Sequence, residues 1–136
     1  MANEAVIIEL ANENPVQRTI ANGSSGTDIL KGTLMALDTD PNTVTASAAA
    51  EQFGGILAVD KEGGDGSTKI GCHMHGVFDL TNSSGTVMVI GELVSLSGAN
   101  LIKTATAAEI LSGDIIGKVE ETPDKDEVVR VRLAGY

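Results

Sequence analysis

The apolar residues of this chain fall in short runs broken by Gly, Ser, Asn, Asp and Thr, and sixteen glycines punctuate it. Short apolar runs bounded by turn-forming residues predict many short strands and tight turns rather than long helices. The runs place strands at Ala5–Leu10, Val16–Ile20, Thr33–Leu37, Ile56–Val59, Thr68–Leu80, Val87–Ile90, Leu93–Leu96, Ile115–Glu120 and Val128–Leu133, with Thr68–Leu80 expected to bend or divide near Gly76. Gly63–Gly66 and Thr122–Asp126 read as exposed turns, since Gly supplies positive φ and Asp tolerates it. Only the Ala-rich stretches Ser47–Gln52 and Ala105–Leu111 are suited to a short helix or helical turn. The expected fold class is all-β: a small β-barrel or sandwich.

The chain also resembles itself. Gly32–Leu37 reads GTLMAL, and Gly91–Leu96, 59 positions later, reads GELVSL. Asn42-Thr43-Val44 matches Asn100-Leu101-Ile102, and Gly54–Ala58 matches Gly113–Gly117. Ile70, Cys72 and Met74 then fall on Val129, Val131 and Leu133. Residues 32–77 and 91–136 therefore read as two related halves of one domain, 23–136, preceded by an N-terminal arm, 1–22. Alternate residues of a strand share a face, so the six aligned apolar residues point to the core. His73 and His75, aligned with Arg132 and Ala134, point outward or into an interface. In the arm, Pro15 removes a ladder donor and separates Ala5–Ile8 from Val16–Ile20. Such an arm is either the barrel's own first strand or a strand added to the edge of a neighbouring chain.

Composition narrows the function. A net charge of -10 and a sequence pI near 4.4 argue against nucleic acid and against an anionic membrane surface. Three aromatic residues, Phe53, Phe78 and Tyr136, are too few for stacking sugars or bases. No apolar run approaches the roughly 20 residues of a membrane helix, and Ala5–Ile8 is too short for a secretory signal. The single Cys72 has no partner for an internal disulfide, which fits a reducing compartment.

Candidate chemistry is sparse. His73 and His75 can share one strand face, but zinc needs three or four ligands and the chain has no third His. Asp38-Thr39-Asp40-Pro41-Asn42 opens like a calcium loop, yet Thr43 and Ala49 stand where that loop needs Gly and Glu. No phosphate loop or nucleophile elbow occurs, and Cys72 and His73 point to opposite faces of a strand. The expectation is a protein without cofactor, metal or enzymatic activity. Phe78 and Phe53 have no aromatic counterpart in the second half, so each reads as a core plug or a subunit contact.

Several segments carry a family resemblance: Met1–Val6, Asn14–Arg18, Lys31–Leu34, Phe53–Ile56 with Asp60 and Lys61, Asp65–Lys69, His75–Asp79, Gly91–Gly98 and Gly113–Gly117. In this order and spacing the chain resembles tailed-phage capsid decoration (cement) proteins with a lambda-type role. The resemblance implies a structural virion protein, made in the host cytoplasm, that docks as a homotrimer on the outer surface of the head, binds the major capsid protein and stabilises the expanded shell. It also implies that the N-terminal segment, here Asn3, Glu4, Ala5, Val6, Ile7, Ile8, Glu9 and Leu10, touches the capsid. His73, His75 and Phe78 are the candidates for contact between subunits. The alternatives are another virion β-domain, from a tail tube or baseplate, and a host- or carbohydrate-binding module.

Overall fold

A computed structural model describes residues 3–10, 14–21, 27–122 and 128–134. The fold is mainly β, as the apolar pattern predicts. Five strands, β2 (Val16–Ile20), β3 (Leu34–Leu37), β4 (Thr43–Ala46), β5 (Phe53–Leu57) and β6 (Lys69–His73), close a barrel in the order β2-β4-β3-β5-β6. The second sheet holds β1 (Val6–Glu9), β7 (Val77–Asn82), β8 (Leu93–Gly98), β9 (Leu101–Thr104), β10 (Gly117–Glu121) and β11 (Val128–Leu133) in the order β1-β7-β11-β10-β8-β9. A further β7–β9 pairing makes a ring of β7-β9-β8-β10-β11, with β1 outside it. The expected long strand Thr68–Leu80 divides into β6 and β7 at Gly76, whose φ is 117°.

The two closed units share one topology. β2–β4 and β7–β9 are the parallel contacts; the remaining pairings of both rings are antiparallel. Backbone register sets the correspondence. Val16 pairs with Cys72 as Phe78 pairs with Val131, and Ile56 pairs with His73 as Lys118 pairs with Arg132. Gly32 N–H donates to Leu57 O as Gly91 N–H donates to Val119 O. Leu57 therefore corresponds to Val119, three residues away from the position that aligning Gly54–Ala58 with Gly113–Gly117 assigns. The second unit spends the extra residues on α1 (Ala107–Ser112), whose Thr106/Glu109 capping box and left-handed Gly113 cap make it helical.

Other expectations change for local reasons. Val16–Ile20, read above with the arm, is a barrel strand, so residue 22 marks no boundary between arm and domain. Ser47–Gln52 is not helical: the Glu51 carboxylate accepts the Ala48 and Ala49 N–H groups, and no helix grows from this turn. Val87–Ile90 is a loop anchored by buried Met88, with Val87, Val89 and Ile90 exposed. β4 and β9, missed among polar and Thr-rich residues, each follow an Asn at positive φ, Asn42 (54°) and Asn100 (56°).

Strand alternation divides the core in two. Met35, Leu57, Ile70 and Cys72 face into the first barrel with Ile20 and Val44. Their strand neighbours Leu34, Ala36, Phe53 and Ile56 join the larger cluster that holds Phe78, Leu80, Val94, Val129 and Val131. The outer face of β3 and β5 is thus the seam against the second unit. Asn100 crosses it: its Oδ1 accepts the Leu34 N–H at 2.9 Å, and its own N–H donates to Ser47 Oγ at 3.1 Å.

Candidate functional site: an exposed edge strand

β1 begins where the backbone of Ala5 meets the turn before β3. Ala5 N–H donates to Gly32 O at 2.7 Å. A Cβ on Gly32 would lie 2.6 Å from Ala5 O, and its φ of 89° already favours glycine, so this position admits the arm only as Gly. β1 then runs antiparallel to β7, with Val6 opposite Asp79, Ile7 opposite Phe78 and Glu9 opposite Val77 across an irregularity. Ala5 packs on the larger core, and Ala5, Val6 and Ile7 wall a groove of ≈ 340 Å³ that reaches Ile56, His73 and Phe78.

Only one edge of β1 is paired with a described strand. Val6, Ile7, Ile8 and Leu10 are 58%, 47%, 40% and 49% exposed. An apolar edge strand is a template for a further strand, which most proteins blunt with charge, Pro or a cover. Glu9 is the charge within this strand, and it lies 3.9 Å from Arg132 Nη2. Arg132 also pairs with Glu120, which raises the guanidinium pKa further. Asn3 and Glu9 are exposed, and Glu4 is half-buried.

The other candidates lie at the seam. Phe78 is fully buried, and its ring centroid is 5.7 Å from that of half-buried His73. Burial lowers the His73 pKa. Phe78 is therefore a plug between the units within one chain and offers no surface to a second subunit; His75 is half-buried beside it in sequence. Cys72 is buried, and desolvation raises its pKa to about 11, partly opposed by Arg18. Among the described residues, no three His, Cys, Asp or Glu side chains gather as a metal site. The Asp38–Asn42 turn closes on itself through Asp38 N–H to Thr43 O and Thr39 N–H to Asp38 Oδ1. Gly32 and Arg132, which seat β1, were not picked out by sequence; the visible signal was the Gly32/Gly91 match.

No family model matches the chain, and no curated protein matches it. Among solved structures, it is similar to the N base of head fiber gp8.5 of bacteriophage phi29, with a TM-score of 0.49 and 10% identity over 88% of this chain and 92% of that one.

Proposed function

We propose that this protein is a structural component of a phage virion that binds the outer surface of the head and cements the expanded capsid, as a homotrimer whose β1 strand contacts the major capsid protein. The observation that carries the reading is β1 itself: an apolar strand, exposed along its length, held on β7 by one edge and paired with no described strand on the other. The whole-chain resemblance to cement proteins supports it. Strand addition supplies main-chain hydrogen bonds for affinity and alternate side chains for specificity. Three such strands on one trimer raise avidity by about 10²–10⁴ over one.

The test is co-sedimentation with undecorated, expanded heads. Wild type binds stoichiometrically. A Val6→Asp/Ile8→Asp variant, with charges on exposed side chains, keeps its fold and loses about tenfold or more in affinity, because the added carboxylates must be desolvated against the partner strand. Absence of wild-type binding to cognate heads overturns the cement reading; full binding by the variant removes β1 from the contact.

A further inference from the structure

Duplication inside one chain leaves unmatched ends. In the chain, the first unit offers a receiving face built on Ile56 and His73, beside Gly32, which Ala5 of the arm covers. Against it sits the start of the second unit's first strand, with Phe78 fully buried and beside the His73 ring. Asn100 of the second unit reaches into the same seam to hold Leu34, the register partner of Ile56.

This contact is not a two-fold. If it were, the second unit's receiving face would meet the first unit's leading strand in the same way, and it does not. The counterparts of Ile56 and His73 are Lys118 and Arg132, which are exposed, and a groove of ≈ 560 Å³ opens beside them. At the opposite end, the counterpart of Phe78 is Val16, 40% exposed, and the counterpart of buried Asn100 is exposed Asn42. One chain therefore carries a receiving face without a leading strand, and a leading strand without a receiving face.

The geometry points to a second copy of this chain as the occupant: the Lys118 and Arg132 face of one copy receives the Val16 end of the next, repeating between chains the seam within each chain. Two features of the surfaces agree. Val87, Val89 and Ile90 are exposed on the loop leading into Gly91, where an apolar partner would cover them. The Asn42 turn also carries exposed Asp38 and Asp40 while the receiving face carries exposed Lys118; Arg132 beside it is already paired with Glu120 and Glu9. A contact between two different surfaces runs head to tail and closes a ring when its rotation allows. In a trimer, six related units would alternate around that ring. The inference names the subunit contact of the proposed trimer, but it rests on the duplication and not on capsid binding.

Light scattering on the purified full chain, without heads, tests it. Wild type forms an oligomer of the 13.9 kDa chain. Val16→Asp blocks one surface and Ile90→Asp the other, both at exposed positions, and each variant alone loses about tenfold or more in association. Their equimolar mixture forms a dimer and nothing larger, since one intact pair of surfaces remains. A monomeric wild type, variants that assemble normally, or a mixture that stays monomeric overturns the proposal. Circular dichroism confirms that both variants fold. Head binding is measured separately, so failure here leaves binding to the head through β1 standing, and the reverse also holds.

Discussion

At the scale of single residues, the positions that matter most are those where backbone or burial leaves no freedom. A Cβ on Gly117 would collide with the Arg132 carbonyl across the β10–β11 ladder. Gly117→Ala should cost about 3 kcal/mol or more in urea unfolding, because the contact is backbone and cannot swing aside. Cys72 is constrained by burial. Its folded pKa is raised from 9.0 to about 11, so the native state keeps a proton that the unfolded chain releases. The stability it contributes is whole below about pH 9 and is lost as pH rises through about 11. Wild type should lose roughly 2–3 kcal/mol more than Cys72→Ala over that window. Burial of Cys72 was legible in the repeat, since it aligns with Val131 among alternating apolar residues. The collision at Gly117 was not, because the alignment set Gly117 against Ala58 rather than against Gly55, its counterpart in the ladder.

At the scale of elements, β1 shows how a strand can belong to its own fold and remain open to another. Its inner edge and Ala5 are committed to β7 and Gly32, while its outer edge and side chains are exposed. Gly32→Ala should loosen β1, and amide exchange at Val6–Glu9 should rise by about tenfold or more, the equivalent of 1.4 kcal/mol or more in local opening. Gly91→Ala carries the same positive-φ strain but meets no atom of the described residues within 4 Å, so β1 exchange should stay unchanged. The apolar pattern located β1 and β2 but left open whether either was a native strand or a detached arm. Alternation shows that a segment is a strand; it does not show which edge it meets. β4 and β9 were hidden for a related reason: short polar strands are stabilised by ladder pairing rather than by their own side chains.

At the scale of the molecule, stability depends on the seam between the two units. Asn100 holds a buried Leu34 N–H there, while Asn42, at the matching position and similar φ, lies at the surface and bonds Gln17 O and Arg18. Asn100→Ala should cost about 2–3 kcal/mol in chemical denaturation, and Asn42→Ala about 1 kcal/mol, because only the first strands a buried donor. Equal costs would mean that the seam is not a stabilising contact. The paucity of aromatics fits this architecture: aliphatic side chains fill two small rings, and Phe53 and Phe78 occupy the seam cluster, where the duplicated pattern has no aromatic counterpart.

The amino-acid sequence by itself determined the local features: strand-forming alternation, glycine turns, the short Ala-rich helix α1, the two-fold recurrence of GTLMAL and GELVSL, and which face of β6 and β11 is buried. These are set by neighbours a few residues apart or by a repeated string. Only the tertiary structure decided that Val16–Ile20 closes a barrel, that β1 lies against β7, that Phe78 is spent inside the chain, and that Ile56 is buried at the seam while its counterpart Lys118 is exposed. Those outcomes depend on hydrogen-bond register and steric fit between distant segments. Near-identical strings therefore end in different surroundings, as Gly32 under the arm and exposed Gly91 show.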